Sequence, residues 1–259
     1  TKLSGIQIEF VMSRKEAYSP DSRKPKVSHG TLKQDVERRD FTLNSLLKSI
    51  STGDILDLTG RGKQDLEKRV LKTPLDPDET FKDDPLRMLR AIRFACKYNF
   101  QLPASIIKSI KKNASRIKII SEERIVGELN QILVSPFPSR GIKLLKITDL
   151  WEYIIPEIKA LVGLTQNKHH KDDVFKHTIE VVKNVSPDLK RRLAALFHDI
   201  GKATTKEVID NEVHFYAHEH VGADMAREIM KRLKYPNDKI DTVESQARKR
   251  EGRRQRRSA

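Results

Sequence analysis

The sequence predicts an α+β fold that is predominantly α, and two patterns carry that expectation. Before residue 60, Ile6–Met12 (IQIEFVM) alternates apolar and polar residues as a half-buried strand does, and Asp54–Gly62 (DILDLTGRG) reads as a short strand running into a glycine-rich turn. From Leu86 onward, apolar residues recur three and four apart, the period of helices that bury one face. At 259 residues the chain is long enough for a full core and for two small domains.

The first strand places Glu9 between Ile8 and Phe10, so its carboxylate faces away from both, into a site or into water. Arg14 to Gly30 is rich in Ser, Pro and Lys and reads as a mobile loop. In Asp35–Leu47 (DVERRDFTLNSLL), Arg38, Arg39, Asp40 and Asn44 fall within one short segment. Two adjacent arginines suit a triphosphate, and Asn44 or Asp40 suits a ribose hydroxyl. A salt-bridged surface helix accounts for the same residues. The glycines after Asp57 serve turn geometry, since no phosphate-loop lysine and helix pattern follows them.

The stretch Thr80–Lys97 (TFKDDPLRMLRAIRFACK) organises the chain. Asp84-Pro85 marks a helix start, with Pro at the first helical position and the Asp as cap. Arg87, Arg90, Arg93 and Lys97 then share one face, and Leu86, Leu89, Ile92 and Cys96 share the buried one. An Asp and an Arg three apart, here Asp84 and Arg87, can read a base edge. The carboxylate accepts from an amino group while the guanidinium donates to a ring nitrogen. Cytosine and adenine offer that pair of groups; uracil and guanine offer the reverse. An N-cap beside a solvated cationic face is the plainer account of the same segment.

Helices are expected over Ala104–Lys112, Glu122–Leu133 (Ser121 as N-cap) and Arg140–Leu150, punctuated by Pro136, Pro138 and Pro156. A histidine-rich half begins at His169. His177 lies on a helix Val174–Val185, His198-Asp199 ends a helix Leu189–Ile200, and His214, His218 and His220 follow. Imidazoles and carboxylates converging from several helices suit a divalent transition metal or Mg²⁺. The set expected to hold it is His177, His198, Asp199 and His218. Arg248–Arg257 is a run of cations without apolar periodicity and reads as a disordered tail with affinity for phosphates.

A formal charge of +15 and a pI near 9.8 favour a polyanionic partner, nucleic acid first. Aromatic residues are only 6%, which argues against base stacking as the main binding mode. One cysteine, Cys96, excludes an internal disulfide and fits a reducing compartment. No apolar run approaches 18 residues and no signal-peptide pattern opens the chain, so the expectation is a soluble cytoplasmic protein without membrane contact. The chain starts at Thr1 inside a strand-like stretch, and its true N-terminus is expected upstream.

Five segments, in order, resemble the bacterial-type tRNA nucleotidyltransferase (CCA-adding enzyme) and poly(A) polymerase family. RRDFTLN at Arg38–Asn44 is similar to its ribose and triphosphate motif, and DLTGRGKQDL at Asp57–Leu66 to the flexible motif between head and neck. DDPLR at Asp83–Arg87 resembles the nucleotide-reading motif, with Asp83 where the family usually has Glu. SEERIVGEL at Ser121–Leu129 resembles the supporting neck motif centred on Arg124, and HTIEVV, HDIGK and HEHVGA resemble an HD domain. The resemblance implies the C-terminal part of a nucleotidyltransferase head with a remnant sheet (1–62), a helical neck and body (63–168), a partial HD domain (169–241) and a basic tail (242–259). It implies addition of C and A to the 3′ end of tRNA without a template. CTP and ATP would be selected by Asp84 and Arg87, with Arg38, Arg39, Asp40, Asn44, Arg90 and Arg124 completing the nucleotide-binding set. Two Mg²⁺ ions would assist the transfer. The paired aspartates that hold such ions in the family would precede Thr1, leaving Glu9 as a third carboxylate, so these 259 residues are expected to bind RNA without extending it. An RNA-binding protein without polymerase activity and a metal-dependent phosphohydrolase using His177, His198 and Asp199 are the alternatives.

Overall fold

The computed structural model describes residues 2–3, 6–7, 10–19, 22–165, 173–210 and 212–248. The strands come as four separate antiparallel pairs, and the helices carry the core. β1 (Lys2–Leu3) pairs with β2 (Ile6–Gln7), and β3 (Arg14–Ser19) pairs with β4 (Ser22–His29), Arg14 opposite His29. Then come α1 (Leu32–Glu37), a 3₁₀ turn over Thr42–Ser45, β5 (Leu47–Lys48) paired with β6 (Ile55–Leu56), and α2 (Gly62–Glu67). Thr31 and Gln34 form a capping box that starts α1: Thr31 Oγ1 accepts from Gln34 N and Gln34 Oε1 accepts from Thr31 N.

The helical body consists of α3 (Pro77–Asp83), α4 (Leu86–Tyr98), α5 (Ala104–Asn113), a 3₁₀ stretch Ala114–Ile119, α6 (Glu122–Leu133), α7 (Pro138–Ile147), α8 (Trp151–Ile154) and α9 (Pro156–Lys159). α4 lies at its centre, with Met88, Leu89, Ala91, Ile92, Ala95 and Cys96 fully buried against α6 and α7. Gly141 on α7 permits that approach, because a Cβ there would meet Ile132 Cγ2 at 2.3 Å and Cys96 Sγ at 3.1 Å. Asn99, at φ 56°, ends α4 in the left-handed conformation that Asn tolerates.

The last part holds α10 (Val174–Asn184), α11 (Leu189–Phe197), a 3₁₀ turn Ile200–Ala203, the hairpin β7 (Lys206–Ile209) and β8 (Glu212–Phe215), α12 (His218–Arg232) and α13 (Asn237–Arg248). Asp173 and Asp188 cap α10 and α11, accepting from Lys176 N at 2.7 Å and Arg191 N at 3.0 Å. One hydrophobic core runs from Phe41 through Trp151 and Phe197 to Val243.

Several expectations are corrected. Within the stretch read as a loop, Arg14–Ser19 and Ser22–His29 are paired antiparallel strands. A two-stranded ribbon exposed at Lys15 and Lys26–His29 needs no apolar alternation, and Pro25 falls where the register shifts, so it forfeits no ladder bond. The described part of the first strand ends at Gln7, and Phe10–Met12 are exposed outside any strand; Glu9 lies outside the described residues. Pro85 is the N-cap residue of α4, not its first helical residue. α7 ends at Ile147 and α11 at Phe197, short of Leu150 and Ile200; Asp149, at φ 58°, and the 3₁₀ turn after Asp199 redirect the chain. Residues 242–248 are the end of α13, with Val243 and Ala247 buried, not a disordered tail. Residues 249–259 lie outside the described set, as do His169 and His170. Among the described residues no helix is long and apolar enough to cross a membrane.

Candidate functional site

The residues singled out between Arg38 and Arg124 gather where α1, α3, α4 and α6 meet. Arg87, on the first turn of α4, is only 8% exposed. Its Nη2 donates to the Arg38 carbonyl at 2.7 Å and its Nη1 to the Thr80 carbonyl at 3.3 Å. Two carbonyls and no carboxylate hold the guanidinium, which keeps further N–H groups for another acceptor. Asp84 Oδ1 accepts from the N–H of Leu86, the first residue of α4, at 3.1 Å. Its Oδ2 faces Arg124 Nη2 at 3.3 Å, so the α6 arginine steadies the carboxylate from across the junction. Asp83 beside it has its carboxyl pKa raised: burial dominates over the attraction of Arg87, and Glu79 and Glu16 add to the rise.

The cationic stripe expected along α4 is not a solvated face. Arg87 is buried, Arg90 is bound by Asp40 Oδ2 (Nε at 2.7 Å, Nη2 at 2.6 Å), and Arg93 Nε donates to Glu128 Oε2 at 2.6 Å. Lys97 alone of the four is exposed. A period of three to four does not distinguish a face turned to water from one turned to a neighbouring acidic element. Asp40 in turn accepts from Phe41 N at 2.9 Å and Asn44 Nδ2 at 3.0 Å through Oδ1, so Asp40, Asn44 and Arg90 form one unit. Arg38 and Arg39 both reach Asp35, and Arg38 also reaches Glu16 on β3. Asp35 and Glu16 were missed as partners. Asp35 stands three and four residues before the arginines, a helical spacing that signals it, whereas Glu16 carries no such signal.

A second cluster forms where α10, α11 and α12 converge. One ligand atom each from His177, His198 and Asp199 lie within 4.8 Å of one another. His198 Nε2 is 3.1 Å and His177 Nε2 is 3.8 Å from Asp199 Oδ2; His218 Nε2 is 3.7 Å from Asp199 Oδ1. His198 Nδ1 lies 2.7 Å from the Ala195 carbonyl and His218 Nδ1 lies 2.8 Å from the Phe215 carbonyl. A carbonyl only accepts, so neutral rings carry their proton on Nδ1 and turn the Nε2 lone pairs toward Asp199. His198 Nε2 is buried without a hydrogen-bond partner. An orphaned imidazole lone pair beside a carboxylate is the donor set a divalent cation takes, and it fits one here without choosing among such ions. Burial pushes the Asp199 pKa up, but with the His198 ring protonated, His198 and Lys202 outweigh it and hold the carboxyl well below its usual range. Lys202 Nζ, 2.8 Å from Asp199 Oδ2, was not among the expected site residues. Gly201 allows the cluster to close, since a Cβ there would meet the His218 carbonyl at 2.3 Å and Gly222 N at 2.7 Å.

The described residues thus hold two candidate functional regions, a basic, acid-clamped junction around α4 and a histidine–aspartate cluster around α11. Comparison with known proteins agrees. Residues 2–72 match the poly A polymerase head domain, 99–161 the probable RNA and SrmB-binding site of polymerase A, and 174–258 the HD domain. The mitochondrial CCA tRNA nucleotidyltransferase of Candida glabrata is 45% identical over 153 residues, covering 58% of this chain and 29% of that protein. The A-adding tRNA nucleotidyltransferase of Deinococcus radiodurans is 34% identical over 218 residues, covering 79% and 49%. The Bacillus stearothermophilus CCA-adding enzyme, solved in complex with CTP, superposes with a TM-score of 0.57 at 24% identity over 83% of this chain and 46% of that one, a likeness of fold. The chain thus spans half or less of the length of these relatives. It belongs to the tRNA nucleotidyltransferase and poly(A) polymerase family.

Proposed function

We propose that this chain serves the template-independent addition of C and A to the 3′ end of tRNA, with Asp84 and Arg87 selecting CTP and ATP. The observation that carries this reading is the mounting of that pair. Arg87 is fixed by the Arg38 and Thr80 carbonyls, which accept and so leave the guanidinium its donor capacity. Asp84 is fixed by Arg124, which offsets its charge without burying it. A carboxylate and a guanidinium preset in this way match an amino donor beside a ring acceptor, the edge that cytosine and adenine share. Arg38 and Arg39 are assigned to the triphosphate, and Asp40 with Asn44 to the ribose, Arg90 holding Asp40 in place. Glu9 is the proposed third carboxylate of a Mg²⁺ site for the transfer, where metal ions would neutralise developing phosphate charge. Division of the chain near residues 62 and 168, and a reducing, cytoplasm-like compartment for the buried free thiol, are part of the same proposal. Relatives with CCA-adding and A-adding names are both similar to this chain, and one Asp–Arg pair serves either activity.

Equilibrium binding of the four nucleoside triphosphates to the chain tests the assignment without requiring turnover. CTP and ATP should bind more tightly than UTP and GTP. Arg87→Lys, which keeps the charge and loses the fork, should narrow that preference about tenfold or more, because a buried charged hydrogen bond is worth roughly 1.5–3 kcal/mol. Undiminished discrimination in Arg87→Lys and in Asp84→Asn would remove the pair as the reader.

The orphaned His198 Nε2 favours a second reading, a metal-dependent phosphohydrolase built on His177, His198, Asp199 and His218. A divalent transition metal or Mg²⁺ would supply an activated water there, and Lys202 stands where it can meet a phosphate oxygen. Bound metal should be lost in His198→Ala together with hydrolysis of p-nitrophenyl phosphate. Because protons compete with the metal for the imidazole nitrogens, affinity should also fall as the solution is made more acidic. Equal metal content in parent and variant rules the site out.

A further inference from the structure

Asp35 is a charged side chain only 7% exposed, on a six-residue helix whose start is already capped by Thr31 and Gln34. Burying a carboxylate is costly unless several donors meet it. Four do. Oδ1 accepts from Arg38 Nη2 at 2.6 Å, Arg38 Nε at 3.0 Å and Arg14 N at 3.3 Å, and Oδ2 accepts from Arg39 Nη2 at 3.2 Å. Two adjacent arginines repel each other, and one carboxylate between them fixes both in a defined fork. Neither guanidinium is used up. Arg38 spends three of its N–H groups on Asp35 and Glu16, Arg39 spends two on Asp35 and the Asn44 carbonyl, and their side chains remain 23% and 32% exposed. Three arginines (Arg14, Arg38, Arg39) face two acids (Asp35, Glu16), so the assembly keeps a positive charge to offer an anion. The Arg38 carbonyl is also one of the two that hold Arg87, so the arginine that Asp35 orients is joined directly to the base-reading guanidinium.

We propose that Asp35 is a positioning residue: it aims Arg38 and Arg39 at the phosphates of the nucleotide and sets their register against the base reader. This rests on the assignment of Arg38 and Arg39 to the triphosphate made above. The carboxylate touches neither base nor phosphate and acts through the arginines alone. In Asp35→Asn the amide nitrogen puts a donor against the donor of Arg39, which breaks the fork while keeping volume and shape. Asp35→Glu keeps the charge.

The test is a ladder of affinities for CTP, CDP, CMP and cytidine, measured on the parent chain and both variants at temperatures where melting curves show each one folded. In the parent, affinity should climb with each phosphate. In Asp35→Asn, cytidine and CMP should bind within twofold of the parent while CTP weakens about tenfold, flattening the ladder; one charged hydrogen bond is worth about that factor. Asp35→Glu should recover most of the CTP affinity. A purely structural role would instead lower the melting temperature and weaken all four ligands in proportion. A parent ladder that survives unchanged in Asp35→Asn overturns the role of Asp35 alone. A parent that binds CTP and CMP equally overturns the triphosphate assignment of Arg38 and Arg39, and the role of Asp35 with it.

Discussion

Cys96 sits on the buried face of α4, fully enclosed and in reach of the α7 backbone at Gly141. Burial pushes its thiol pKa up to about 12, against a smaller lowering by Arg140. Only the thiolate attacks disulfides, so the folded protein should be inert to Ellman's reagent at pH 8 and become reactive on unfolding. Immediate stoichiometric reaction of the native chain would show that α4 and α7 open far more readily than their packing implies. The residue scale is also where the sequence was hardest to read. Leu86, Leu89, Ile92 and Cys96 were legible as core from spacing alone. Arg87, Arg90 and Arg93 were not legible as paired or buried, because apart from the Thr80 carbonyl beside Arg87 their acceptors come from Arg38, Asp40 and Glu128, 35 to 50 residues away. Resemblance marked Arg124 as the centre of a supporting motif but not its contact with Asp84, since no local pattern announces a contact across 40 residues.

At the scale of elements, two glycines make opposite predictions. Gly201 lies where the 3₁₀ turn Ile200–Ala203 presses on the start of α12, and its missing Cβ would overlap backbone atoms of His218 and Gly222. Gly201→Ala must push that turn off α12, so it should destabilise by about 1–3 kcal/mol, as overpacking does. It should also weaken metal binding, because the turn follows directly on Asp199 while α12 carries His218. Gly127, on the exposed side of α6, has nothing within 4 Å of its Cβ position. Gly127→Ala should therefore stabilise by up to about 1 kcal/mol through helix propensity alone. Thermal melts of the two variants check both signs. Helices with a continuous apolar stripe were legible nearly to the residue, as Glu122–Leu133 was, because burial of one face and helical period impose the same pattern. The β3–β4 hairpin was hidden because its Ser, Pro and Lys composition mimics a loop.

For the whole molecule, the question is whether the histidine–aspartate half folds with the body or beside it. The apolar core is continuous between them, and α6 is gripped along its length by residues of the later segments. Lys234 meets Glu122 and Glu123 near its start, Tyr235 donates to Asn130 Oδ1 at 2.7 Å, and Arg192 Nη1 donates to the Leu133 carbonyl at its end. Arg192 is 5% exposed, has its second bond to the Ser186 carbonyl, and has its pKa lowered by burial. Its charge is thus met by carbonyl dipoles, one of them among the last, otherwise open carbonyls of α6. Arg192→Leu leaves the buried Leu133 carbonyl without this donor, while the Ser186 carbonyl keeps Asp188 N, and should cost roughly 1–3 kcal/mol. The single tryptophan makes the outcome readable, because Trp151 is buried in the body and reports on that half alone. If the molecule is one cooperative unit, Trp151 fluorescence and far-ultraviolet circular dichroism should melt at the same temperature in the parent, and both should move down together in Arg192→Leu. A dichroism transition that separates below an unmoved fluorescence transition would mean that the histidine–aspartate half unfolds by itself, and that the shared core does not bind the two halves into one folding unit.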